Sequence, residues 1–147
     1  MIVDDRKQAQ IRLLLVEDDP DDAHLVKTSL ARRAEPIHFE HVAQGLAAKA
    51  LLEARRDQKA LLPEMMIVDI NMPLMNGLEL LDWIRSQPDF DKIVVVIFTT
   101  STEAHVLADA RRRGANGALS KEWHDGDQHA LGQMFVDYWF HGGVVMA

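Results

Sequence analysis

Five short apolar runs punctuate the chain, and each ends in polar or turn-forming residues. The densest is Met65-Met66-Ile67-Val68, which runs straight into Asp69 and then Ile70-Asn71-Met72-Pro73. An apolar run this short, closed by asparagine and proline, predicts a strand buried on both faces. Ile11 to Val16 predicts a second such strand, with Leu13, Leu14, Leu15 and Val16 in a row, and the largely β-branched Ile93 to Phe98 a third. Ile37 to Val42 reads as a short strand of alternating type, and Gly117-Ala118-Leu119-Ser120 as a short last one.

Helical spacing fills the gaps. Asp19 followed by Pro20 is an N-cap with proline in the first turn, and Ala23, Val26 and Leu30 then form one face of a helix ending near Arg33. Asp21 and Asp22 suit the positive end of that helix. Leu46, Ala47, Ala50, Leu51 and Ala54 recur at helical spacing, and Arg55 to Leu62 reads as a connection closed by Pro63. Asn76 with Glu79 predicts a capping box opening a helix through Leu80, Leu81 and Ile84, which Gln87-Pro88 ends. Thr100 with Glu103 predicts a second capping box, before a helix carrying Val106, Leu107 and Ala110 and C-capped by Gly114. A last helix is expected from about Asp127 to Phe140, stopped by Gly142-Gly143. Strand and helix thus alternate five times, which implies an α/β fold: a doubly wound parallel sheet with helices on both faces and right-handed crossovers.

Composition narrows the function classes. The 147 residues suit one domain, and a hydrophobic content of 48% suits a globular one. With no cysteine there is no disulfide, thiol nucleophile or thiolate metal site, which suits a reducing compartment, and a cytoplasmic location is expected. Met1 to Gln10 is a polar lead without the apolar core of a secretion signal. No apolar run approaches the roughly 20 residues that span a bilayer. A formal charge of −7 disfavours nucleic acid as a partner, and Arg111-Arg112-Arg113 suits the negative end of a helix instead. Seven histidines, His24, His38, His41, His105, His124, His129 and His141, form no ligand constellation and are read as surface or packing residues.

The candidate chemistry lies at the strand ends. Glu17 and Asp18, Asp69, Thr99 and Lys121 close four of the five predicted strands, and a doubly wound sheet sets all four ends on one edge. Asp69 could be no more than a strand cap or the start of a turn. Carboxylates packed together repel unless something positive joins them. A hard divalent cation such as Mg²⁺ wants those oxygens, usually with waters and a phosphate. Lysine adds a second positive charge and threonine a hydrogen-bond donor. The set describes a site for a phosphoryl group, with a carboxylate as nucleophile.

Val16-Glu17-Asp18-Asp19, Val68-Asp69-Ile70-Asn71-Met72-Pro73 with Gly77, Phe98-Thr99-Thr100-Ser101 and Ser120-Lys121 resemble the receiver domains of two-component response regulators, from about Ile11 to Leu131. The Thr-Thr-Ser segment, the long connection before Pro63 and the aromatic tail are similar to single-domain regulators that partner bacterial phytochromes. The resemblance implies a flavodoxin-like (βα)5 fold with strand order 2-1-3-4-5 and a receiver domain over 11–141, between a lead at 1–10 and a tail at 142–147. It implies that Asp69 is the phosphoacceptor, that Asp18 binds Mg²⁺ directly and Glu17 through water, and that the Asn71 carbonyl is a further ligand. Thr99 would hydrogen-bond the phosphoryl group and Lys121 pair with its charge. The phosphoryl donor would be a sensor histidine kinase, and the domain would signal rather than turn over a substrate. Two positions depart from the pattern. Ala118 stands where many receivers have a switching aromatic ring. Glu122 follows Lys121 where proline is usual, and since a non-proline cis bond costs about 3 kcal/mol, a trans, differently shaped loop is expected.

Other functions fit less well. A haloacid-dehalogenase-type phosphatase needs a second acid two residues after the first, where this chain has Asn71. A flavodoxin-like cofactor binder needs a phosphate loop after the first strand, where Glu17-Asp18-Asp19 would repel a flavin phosphate. An unphosphorylated adaptor has no physical need for Asp69, Thr99 and Lys121 together. Leu131, Met134, Phe135, Tyr138 and Trp139 form one stripe of the last helix, but Val136, Phe140 and Val144-Val145-Met146 add more apolar surface than one face uses. A homodimer through this helix and tail is expected. No DNA-binding module fits after the fifth strand, so output would run through protein contacts.

Overall fold

The computed structural model describes residues 10–31, 37–100 and 103–121. Five parallel strands, β1 (Ile11–Val16), β2 (Ile37–Val42), β3 (Met65–Asp69), β4 (Val94–Thr99) and β5 (Gly117–Ser120), form one sheet in the order β2-β1-β3-β4-β5. Four α-helices are described: α1 (Pro20–Ala31), α2 (Gly45–Asp57), α3 (Gly77–Ser86) and α4 (Ala104–Arg112). This is the flavodoxin-like order expected. Its topological switch lies between β1 and β3, because the chain leaves β1 toward β2 and returns on the other side.

The continuous apolar runs are explained by burial on both faces. Alternate residues of the central strands point opposite ways. Leu13, Leu15, Met65, Ile67, Val96 and Phe98 pack with Ala23, Val26 and Leu30 of α1. Leu14, Val16, Met66, Val68, Val95 and Ile97 pack with Ala48 and Leu52 of α2 and with Leu80, Leu81 and Ile84 of α3. The edge strand β2 is only half-buried, as its alternating pattern predicts. There Glu40 pairs with Arg55, whose guanidinium holds the Glu40 carboxyl below its ordinary value.

Several local signals hold. Asp19 Oδ1 accepts from the N–H groups of Asp21 (2.8 Å) and Asp22 (3.3 Å). The Asn76–Glu79 capping box is complete. After α3, Pro88–Phe90 forms a 3₁₀ turn that drives Phe90 into the core against Trp83, ring centroids 5.5 Å apart. Gly114 has φ +106°, the left-handed conformation that ends α4.

Three expectations are corrected. Thr100 and Glu103 form no capping box. The helix starts one turn later, so Glu103 itself occupies the N-cap position, without a side-chain cap bond. The buried face of α2 is Gly45, Ala48 and Leu52; of the expected stripe Leu51 packs partly buried against the core, while Leu46, Ala47, Ala50 and Ala54 are exposed. In so alanine-rich a helix two adjacent stripes have similar apolarity, and tertiary contacts choose between them. Arg55 belongs to α2 rather than to a connection, because its pairing with Glu40 extends the helix through Asp57. The last helix, Glu122 and the tail lie outside the described residues.

Candidate functional site

β1 delivers Glu17 and Asp18. The Glu17 N–H continues the ladder to the Val42 carbonyl at 3.1 Å. Its own carbonyl accepts a bond from His41 Nε2 at 2.8 Å, which requires the proton on that nitrogen. These two bonds turn the chain so that the Glu17 side chain is fully buried while Asp18 is exposed.

β3 delivers Asp69, which is 1% exposed. The Asn71 N–H donates to Asp69 Oδ1 at 3.2 Å. The turn closes through the N–H groups of Met72 (3.1 Å) and Gly77 (2.9 Å), both donating to the Ile70 carbonyl. Helix α3 approaches so closely that a Cβ on Gly77 would lie 2.1 Å from the Asp69 carbonyl oxygen, so only glycine fits. Leu74, in the same turn, takes φ +67°.

β4 ends in buried Thr99, and the Lys121 N–H beyond β5 donates to the Thr99 carbonyl at 2.8 Å. The Lys121 side chain then crosses the carboxyl edge. Its Nζ is 3.0 Å from Asp69 Oδ1 and 3.2 Å from Asp22 Oδ2, and it pairs with Glu17 Oε1. The ammonium lies over the Phe98 ring, Nζ 5.2 Å from its centroid.

Four of the predicted site residues, Glu17, Asp18, Asp69 and Lys121, therefore meet at one point. Thr99 closes the strand beside Asp69, and Asn71 enters through its backbone. One carboxylate oxygen each from Glu17, Asp18 and Asp69 can be chosen so that all lie within 4.8 Å of one another. Among the described residues negative charge here exceeds that of Lys121. Burial first, and then the neighbouring Asp69, push Glu17 from 4.5 up to about 8, against the pull of Lys121. Burial and Asp69 likewise raise Asp18. Burial opposes the charged form of Lys121, but its bonds to Glu17 and Asp69 outweigh this and hold it above the ordinary lysine value. An all-oxygen set with surplus negative charge fits a hard divalent cation.

The profile of the response regulator receiver domain family matches residues 13–131. The chain belongs to that family. Receiver domains are signalling modules of two-component systems rather than conventional enzymes. This receiver is 29% identical to response regulator Rcp1 of Synechocystis sp. over 128 residues, 86% of this chain and 87% of Rcp1. It is 32% identical to chemotaxis protein CheY1 of Helicobacter pylori over 113 residues, 76% of this chain and 85% of CheY1. Among solved structures, the phosphorylated cyanobacterial phytochrome response regulator RcpA superposes with a TM-score of 0.81 at 25% identity, covering 92% of this chain and 98% of RcpA. The Mn²⁺-bound form of Rcp1 gives 0.78 at 28%, covering 92% and 99%. A sensor kinase is the partner this membership implies. None of the described helices is long and apolar enough to cross a membrane.

Two residues at the receiver's site escape the reading of strand ends. Asp22 is explained in sequence by the helix dipole alone, yet it reaches Lys121. The signal was its position four residues before Val26, on the inward stripe of α1. His41 sits on the edge strand and shapes the Glu17 turn, a contact with no sequence signal.

Proposed function

We propose that Asp69 of this receiver accepts a phosphoryl group from the phosphohistidine of a sensor histidine kinase. The observation that carries the reading is Lys121 Nζ, 3.0 Å from buried Asp69 Oδ1 at the switch point of the sheet. An Asp69 oxygen forms a bond to phosphorus in line with the breaking bond to the donor nitrogen, which leaves with the electron pair. Lys121 supplies a fixed positive charge for the phosphoryl oxygens, and Thr99 a hydroxyl donor. Asp18 and Asp69 would hold Mg²⁺ by their carboxylates, Asn71 by its carbonyl and Glu17 through water. When bound, the cation neutralises phosphoryl charge. The Mn²⁺ in Rcp1 supports a divalent ion of this kind. Water then hydrolyses the aspartyl phosphate.

The kinase is taken to be a bacterial phytochrome, on the strength of the similarity to RcpA. Signalling is taken to be cytoplasmic, with output through protein contacts and a homodimer formed by the last helix and tail. A mass that stays monomeric at all concentrations, with and without phosphorylation, would overturn the dimer.

The test of the central reading is intact mass after incubation with Mg²⁺ and acetyl phosphate. Wild type gains one phosphoryl group, and Asp69→Asn or a chelated sample gains none. No gain under conditions that modify another receiver would refute the phosphoacceptor role and favour an adaptor.

A further inference from the structure

We propose that Asp22, on the first turn of α1, is a positioning residue that aims the Lys121 ammonium at the phosphoryl group. The inference rests on the phosphoacceptor reading of Asp69. An ammonium has three N–H donors. Here the nitrogen lies within ion-pair distance of three carboxyl groups from three elements: Glu17 after β1, Asp69 at the end of β3 and Asp22 on α1. Lys121 is 8% exposed on its side chain, so water has little access to replace any of them.

The three partners fare differently when phosphorus arrives. Asp69 becomes an acyl phosphate, and its place at Lys121 passes to a phosphoryl oxygen. Glu17 and Asp22 form no bond to phosphorus. With those two fixed, the third donor has one direction left, toward Asp69. A lysine stem carries several rotatable bonds and does not hold such a direction unaided. Glu17 alone supplies one point of attachment and leaves the ammonium free to swing about it. Asp22 removes this freedom, and α1 can supply it rigidly: Asp19 caps both Asp21 and Asp22, while Ala23 and Val26 are buried directly behind.

Asp21 supplies the control. It is exposed, one residue away in the same helix turn, and carries the same charge, but it makes no ion pair with Lys121 among the described residues. A general effect of acidic charge at the helix start would appear in both variants, whereas a positioning effect appears only at Asp22.

The experiment is the rate of acetyl phosphate labelling, followed by intact mass over a range of donor concentrations at saturating Mg²⁺. Asp22→Ala is expected to lower the maximal rate by about tenfold, with the half-saturating donor concentration unchanged within about twofold, as misaiming of a reacting group predicts. Asp22→Asn, which keeps an acceptor oxygen, is expected to fall between, and Asp21→Ala to match wild type. A second readout is independent of labelling. In ¹⁵N-lysine protein, the Lys121 ammonium, assigned by its loss in Lys121→Met, is expected to give a resolved signal that Asp22→Ala broadens away by faster exchange with water. Wild-type labelling kinetics in Asp22→Ala, or an unchanged ammonium signal, overturns the proposal. If the wild type takes no phosphoryl group, the phosphoacceptor reading falls. The ammonium signal then decides whether Asp22 holds Lys121 or that contact falls too.

Discussion

Replacing Gly77 with alanine probes how α3 holds Asp69 in place. The added Cβ would lie 2.1 Å from the Asp69 carbonyl oxygen, 2.8 Å from its carbonyl carbon and 2.9 Å from Ile70 Cα. All three are backbone atoms, so no change of rotamer relieves the overlap. Non-bonded heavy atoms settle at about 3.5 Å, so helix and strand end must separate by about 1 Å or more. The 2.9 Å bond from the Gly77 N–H to the Ile70 carbonyl stretches or breaks with them. Overpacking of this kind costs about 1–3 kcal/mol, and the hydrogen bond adds about 1 kcal/mol. A loss near 3 kcal/mol lowers the melting temperature of a domain of this size by about 10 °C. Asp69 moves with its backbone, away from Lys121 at 3.0 Å. A displacement of about 1 Å at a reacting group can cost on the order of 10²-fold in rate.

The assays are thermal unfolding by circular dichroism and acetyl phosphate labelling by intact mass, at a temperature where both proteins are folded. Gly114→Ala separates the two effects. That glycine sits at φ +106° at the opposite edge of the sheet, where it precedes β5. Alanine there is strained by about 1–2 kcal/mol but leaves Asp69 untouched, so stability falls and labelling does not. A Gly77→Ala protein that melts within about 1 °C of wild type and labels at the wild-type rate would refute the account of the turn.

Three further outcomes are expected. Arg85 donates to the carbonyls of Gly114 (2.9 Å) and Ile93 (2.8 Å) and to Asn116 Oδ1 (2.9 Å); Arg85→Ala should cost about 2–4 kcal/mol in urea unfolding, with little rescue by lysine, and an unchanged midpoint would refute this. The folded state holds a proton on Glu17 up to about pH 8, against 4.5 when unfolded. With chelator present, its contribution is therefore whole below pH 4.5 and lost as pH rises to about 8, by at most about 5 kcal/mol; Glu17→Gln should flatten that slope, and an equal slope in both would count against it. Mg²⁺ should raise the melting temperature of wild type by relieving the Glu17–Asp18–Asp69 cluster, and Asp18→Asn should shrink that rise in a magnesium titration.

The fold was legible because its strands are buried on both faces. Four apolar residues before Asp69 have no other economical use, and alternation with helices leaves one sheet architecture. What remained hidden depends on tertiary choice. In α2 the alternatives differ by one stripe of alanines, and the close approach of Gly45 to the Met75 carbonyl helps fix the rotation observed. At Thr100–Glu103 the spacing of a capping box is present, but the helix start is displaced to Ala104.

The site was legible for the same reason: residues at the carboxyl ends of parallel strands converge whatever lies between them. Asp22 was not, because its distance from Lys121 depends on how α1 tilts over the sheet. Its contact changes the account of charge at the site. Among the described residues Lys121 is the one cation facing Glu17, Asp22 and Asp69, with Asp18 beside them, so this cluster is short of positive charge. A structural ion pair would need one carboxylate and would be no more stable for the others. The surplus makes sense for a site whose further positive partner comes from solution and whose lysine must keep its aim when one carboxylate is phosphorylated. Ala118 bears on what happens next. It is buried beside β4 without a ring, so a switching rotamer at that position is excluded. The link at hand between the charge cluster and the β4 end is the backbone bond from Lys121 to Thr99, 2.8 Å long. That bond ties the residue paired with Asp69 to the end of β4 through backbone alone, independently of any side chain in the core.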